Sequence, residues 1–172
     1  GEWPQRIAGE ALARLAALGA DDPLLRGAVA SSLLPHLSAF AAKAPEHEEI
    51  VDVLFQTALG ERRDDVVLEL LDAALRTAQV ADVESLRRAR TALALLQSRD
   101  SSVESLAAKH PDDARWQRVV ARKNAVLAGA RAALPGASVV RQAGYATFLL
   151  ADLREQPAAL ELLGRLIAPR HG

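Results

Sequence analysis

Four histidines, an acid-rich helix start, a block of arginines and a Lys-Asn pair beside an apolar stripe are the side chains here that could do chemistry. His47 stands in company, inside Glu46-His47-Glu48-Glu49 and followed by Asp52. On a helix, Glu48 and Asp52 share one side and Glu49 and Val53 another. Carboxylate-and-histidine metal sites in helix bundles use Glu-x-x-His from facing helices, and that spacing does not occur here. Acidic residues in a first turn oppose the positive end of the helix macrodipole. The segment is read as a helix start, and no metal ligand is assigned. His36, next to Pro35 in an apolar pattern, reads as a core residue. His110, before Pro111, reads as a helix-boundary residue near terminal carbonyls, and His171 as part of the tail.

Patterns that mark catalysis are missing. The sequence contains no Gly-x-Ser-x-Gly, no Gly-x-Gly-x-x-Gly, no Gly-x-x-x-x-Gly-Lys and no His-Glu-x-x-His. Ser31, Ser32, Ser101 and Ser102 have no histidine base nearby in sequence. Without cysteine there is no disulfide, thiolate metal site or thiol nucleophile. A non-enzymatic protein with no cofactor is expected. A reducing, cytoplasmic setting fits the lack of cysteine.

Charge is unevenly distributed. Residues 1–79 carry 7 basic and 13 acidic side chains, residues 80–131 carry 10 and 6, and the remainder 4 and 3. Within the basic block, Arg115, Arg118 and Arg122 fall on one helical stripe, and Arg87 and Arg88 stand with Arg90 on the preceding long helix. Side by side, two such helices would present a basic surface to an acidic partner or to phosphate. Sparse aromatics, a pI near 6.5 and no Lys-rich arm argue against nucleic acid as that partner. Lys123 and Asn124 break the apolar pattern on the flank of the stripe Trp116, Val119, Val120, Leu127, Ala130. Lys123 either lines a groove or lays its stem over apolar surface with its amine in water, and the second reading is the simpler. The candidate partner-binding set is therefore Arg87, Arg88, Arg115, Arg118, Arg122 and Lys123.

The elements that must position these residues are legible as helices. The chain is 172 residues long, half of them hydrophobic, with net charge −1, so it can bury a core. Acidic residues or proline recur at helix starts: Asp22-Pro23, Pro45-Glu46, Asp82 and Pro111-Asp112-Asp113, with Asp64 and Asp65 near the N-terminus of a helix read from Glu61 to Gln79. A short helix to Lys109 starts at Ser101 or Ser102, and Ser101 and Glu104 stand at capping-box spacing. Gly19, Gly60 and Pro135-Gly136 end helices. Nine helices follow, with a kink or break near Pro35. The eighth, Ser138–Arg154, is apolar almost all round and belongs in the middle of a bundle, with Gly144 admitting a close neighbour. No period-2 alternation suggests strand, and no apolar run reaches the ~18 residues of a membrane span. With no Gly/Ser-rich linker, residues 1–172 read as one all-α domain. Opening at Gly1 and lacking methionine, it reads as a domain excised from a larger protein.

Asp22-Pro23-Leu24-Leu25-Arg26 and Asp64-Asp65-Val66-Val67 begin helices 42 residues apart, and Asp112-Asp113-Ala114-Arg115 follows 48 later. This resembles the ~40–47-residue period of HEAT and armadillo repeats. Leu106 through Trp116-Gln117-Arg118, with Ala133-Leu134-Pro135 downstream, resembles a junction between tetratricopeptide-type units, although the family's Gly-Tyr pair is missing. The resemblance implies a short helical-repeat stack, with a plain multi-helix bundle as the alternative. Either architecture points to a scaffold or regulatory domain that meets a protein partner or an adjoining domain. Two other expectations stand beside it: nucleic-acid binding through the 87–122 arginines, and a small-molecule pocket between helices.

Overall fold

A computed structural model describes residues 48–98 and 101–168, with a few single positions between Ile7 and Ser32. The described residues form seven α-helices and no strand; one isolated antiparallel bridge joins Gln79 and Asp82. The all-α class holds. The first two expected helices and the break near Pro35 lie essentially outside the described residues.

The chain divides into two compact units, Gly1–Arg76 and Thr77–Gly172. Their boundary falls in the last turn of a helix, where composition does not mark it. In the first unit, α1 (Glu48–Gly60) buries Leu54, Phe55 and Ala58. Gly60 is its last residue, and the left-handed turn sits two residues on, at Arg62 (φ 56°). The Arg63 N–H then donates to Ala58 O at 2.8 Å, satisfying one of the end carbonyls. The second helix, α2 (Asp64–Thr77), starts after this turn rather than at Glu61. Asp64 and Asp65 occupy its first turn, and Arg63 forks onto Asp65 at 3.0 and 2.9 Å.

The second unit holds α3 (Val83–Gln97), α4 (Val103–Lys109), α5 (Ala114–Ala133), a 3-10 turn (Leu134–Gly136), α6 (Val139–Leu149) and α7 (Gln156–Ile167). Asp82 caps α3 and Asp113 caps α5, each accepting the N–H two residues on at 3.0 Å. On α3, Leu86, Ala89, Leu93 and Leu96 recur on one face and are buried. The hub is α6, which packs against α3, α5 and α7, while α4 packs on α5. Trp116 and Phe148 are almost completely buried, each worth up to ~3 kcal/mol of transfer free energy. A Cβ on Gly144 would collide with a methyl of Val83, so the missing side chain is what lets α6 approach α3.

Two details of α6 differ from expectation. Val139 and Val140 in its first turn are 50% and 79% exposed, so it is central along its second half only. It also stops at Leu149 rather than Arg154. Asp152 is the reason: its Oδ1 accepts the Arg154 N–H at 2.9 Å, a local bond that competes with continued helix. The chain turns through residues 150–155 before α7 begins.

Candidate functional site

On α5, the buried positions Trp116, Val119, Lys123, Val126, Leu127 and Ala130 trace one helical face. Lys123 thus lies on the stripe itself, not on its flank. Its side chain is 7% exposed, and its amine donates to Glu104 Oε1 at 2.5 Å. A lysine snorkelling to water would expose its amine; this one ends on a carboxylate of a neighbouring helix.

Glu104 is free to do this because the cap of α4 falls one residue later than its spacing suggests. Ser102, not Ser101, is the N-cap: its Oγ accepts the Ser105 N–H at 3.0 Å, and Ser105 Oγ accepts the Ser102 N–H at 2.9 Å. Ser101 donates its N–H to Leu96 O at 3.1 Å. The reciprocal box is closed by a serine, leaving the Glu104 carboxylate for Lys123.

A second ion pair borders the same space. Arg154 forks onto Asp152, Nε to Oδ1 at 3.2 Å and Nη2 to Oδ2 at 2.9 Å. The Asp152 side chain is 7% exposed, that of Arg154 78%. The guanidinium bond to Arg154 holds the Asp152 carboxyl below the usual range against the opposing effect of burial, helped by the Arg154 N–H and the charge of Lys123. The turn is fixed from both sides. Gln97, at the end of α3, donates from Nε2 to Ala151 O at 2.5 Å, and Gln156 donates to Leu150 O at 3.0 Å.

Between the end of α3, the start of α4, the middle of α5 and this turn lies an open cleft of about 680 Å³. Lys123, Asn124, Glu104, Asp152 and Arg154 all line it. A smaller hollow of about 390 Å³ shares Asn124, Asp152 and Arg154 with it. Beside that hollow, Arg131 of α5 reaches Glu155 at 2.5 Å and ties α5 to the start of α7. The cleft therefore presents one buried cation and one buried anion, each facing an exposed counter-charge.

The other expected site residues lie elsewhere on the unit. Arg87 directs Nε and Nη2 to Glu84 Oε1 at 2.9 and 2.5 Å, one turn back on α3. Arg115 forks onto the cap Asp113 at 3.0 and 2.8 Å, holding that carboxyl down to about 2. Arg88 and Arg122 are half-buried and Arg118 is exposed. The helices α3 and α5 both pack on α6, and neither makes an extensive contact with the other. Of the six residues, Lys123 alone lines the cleft. The sequence reading assigned Glu104 to a helix cap and did not place Glu104, Asp152, Arg154 or Gln97 in a site. The detectable signal was Asp152, a carboxylate directly after an apolar run with arginine two positions on.

His110 is the C-cap of α4 and stacks on Trp116, ring centres 5.8 Å apart and planes 8° from parallel. His36, His47 and His171 lie outside the described residues. Among the described residues no group of three or more histidine and acidic side chains could hold a metal ion. No described helix is long and apolar enough to cross a membrane. Protein-family models, curated proteins and solved structures were all compared with the chain, and none matches it.

Proposed function

We propose that the chain is a non-enzymatic helical interaction domain whose second unit holds a partner polypeptide in the cleft beside Lys123. The observation that carries this reading is the buried lysine. A charge inside an apolar stripe costs stability unless it is paired, and here its amine is directed to the wall of a solvent-accessible cleft. At about 680 Å³ the cleft is also of small-molecule size, so the reading rests on its buried charge and not on its volume. The serines around it bond to one another and to backbone, which supports a structural role for them rather than nucleophilic chemistry. Because Arg87 and Arg115 spend their charge on Glu84 and Asp113, phosphate binding through the arginine block has less support. A bundle organised around α6 is likewise better supported for this unit than a HEAT-like stack, since α6 touches three helices rather than only its chain neighbours.

The test is selection from a random peptide display library on the immobilised full chain. Enriched peptides are then titrated by fluorescence anisotropy against wild type, Lys123→Met and the double reversal Arg118→Glu/Arg122→Glu. Loss of the buried charge should weaken binding about tenfold or more, and the double reversal should matter less. Failure to enrich any peptide, or equal affinity for wild type and Lys123→Met, would overturn the reading.

A further inference from the structure

The two ion pairs of the cleft share an asymmetry. In Lys123–Glu104 the lysine side chain is 7% exposed and the glutamate 46%; in Asp152–Arg154 the aspartate is 7% exposed and the arginine 78%. Other pairs of the unit show less of it: Arg87–Glu84 and Arg165–Glu161 expose both ends by half or more, and in Arg115–Asp113 and Arg131–Glu155 the less exposed member keeps 30% and 24%. The buried members are fixed by the framework. Lys123 sits in the α5 stripe. The Asp152 N–H donates to Leu149 O, and its carbonyl accepts the N–H groups of Glu155 and Gln156 at 3.0 and 3.1 Å. The exposed members are long side chains with water as an alternative partner, and an exposed ionic contact is weak and exchangeable. Withdrawal of Glu104 or Arg154 leaves a buried charge that needs a replacement, whereas withdrawal of Lys123 or Asp152 is blocked by packing.

Resting on the proposed function, we infer that the cleft is a two-charge site: it takes a peptide segment bearing one acidic and one basic side chain. The peptide carboxylate takes the place of Glu104 on Lys123, and the peptide cation takes the place of Arg154 on Asp152. Glu104 and Arg154 are then internal stand-ins that compete with the ligand. A purely anionic ligand meets Asp152, and a purely cationic one meets Lys123, so each is disfavoured by the buried charge it does not match. Arg154 lies on the wall common to the cleft and the smaller hollow, so its departure makes further room beside Asp152.

The probes are short peptides with acetylated and amidated ends, carrying one Glu and one Lys on Gly-Ala spacers of increasing length. Glu-only and Lys-only peptides serve as comparisons, and free-ended peptides without charged side chains test whether chain termini supply the same two charges. Calorimetric titration is done on the full chain as wild type, Glu104→Gln, Arg154→Gln, Lys123→Met and Asp152→Asn, with helicity of each checked by circular dichroism. Blocked Glu/Lys peptides should bind, and Glu104→Gln and Arg154→Gln should each tighten binding about two- to fivefold by removing a competitor. Lys123→Met and Asp152→Asn should weaken it about tenfold or more. Should either buried-charge variant fail to fold, the two tightening variants decide. Weakened or unchanged binding in Glu104→Gln and Arg154→Gln, or equal binding of Glu-only peptides, overturns the inference. So does binding confined to the free-ended peptides. If display-selected peptides depend on Lys123 while the stand-in variants do not tighten them, the inference falls and the interaction domain stands.

Discussion

Replacing Glu104 by alanine strands the buried ammonium of Lys123. Breaking a fully buried ion pair costs about 3–5 kcal/mol, mostly the penalty of the charge left behind. Two features reduce it here: Glu104 is itself 46% exposed, and the Asp152 carboxylate acts on the same amine. About 2 kcal/mol is the expected loss. Lys123→Met should behave differently. Methionine follows the lysine stem through the same apolar surroundings, leaves Glu104 to water, and should stay within about 1 kcal/mol of wild type. The double variant Lys123→Met/Glu104→Ala should then match Lys123→Met alone, because the stranded charge is gone. Urea unfolding followed by far-UV circular dichroism measures all four corners of this cycle. A Glu104→Ala loss under about 0.5 kcal/mol would make the pair an ordinary surface contact. A Lys123→Met loss larger than that of Glu104→Ala would mean that the lysine stabilises the fold by its charge, and the argument for its role in the cleft would fail.

Gly144→Ala should lower the melting temperature. The helix-propensity gain of ~1 kcal/mol is outweighed by driving a Cβ into the stiff, β-branched Val83, at about 1–3 kcal/mol. Adding Val83→Ala should recover part of the loss, and a stabilised Gly144→Ala single variant would disprove the close approach of α6 to α3. Acid should destabilise the chain in a defined window. Asp113, held at about 2 by Arg115 against an ordinary 3.8, contributes stability that is complete above pH ~4 and is lost as pH falls towards 2. Asp152, Asp65 and Glu84 are shifted in the same direction by Arg154, Arg63 and Arg87. The urea midpoint of Asp113→Asn, which keeps the cap acceptor, should fall less steeply below pH 4 than that of wild type; parallel curves would remove Asp113 from the account.

Most of the helical architecture was legible along the chain because its determinants are local. Caps at Asp82 and Asp113, the stop at Pro135-Gly136 and the start of α7 at Gln156 depend on residues within a few positions of one another, so a linear reading finds them. The same locality explains the near misses. Of the two serines that could start α4, Ser102 became the cap and displaced the Ser101–Glu104 box because Ser105 can close the box as well as Glu104, and α6 ended early because the Asp152 side chain bonds its own turn. Both shifts are one-residue or one-turn competitions between bonds of similar strength, which periodicity does not resolve.

The cleft is another matter. Lys123 and Glu104 are 19 residues apart, and Gln97 and Ala151 are 54 apart. Lys123 was visible by itself as a polar residue on the flank of the α5 stripe. Whether its amine reached water or a carboxylate depended on how α4 packs on α5 and where the turn after α6 falls. Sequence alone determined that the described residues are helical, where most of their helices begin to within a turn, and that one lysine stood beside an apolar stripe. Only the tertiary packing decided that this lysine is buried, that an exposed glutamate answers it, and that a second half-buried pair stands across the same opening. The physical reason is range: helix signals act over one or two turns, while burial and charge pairing are set by neighbours that the chain brings together only when folded.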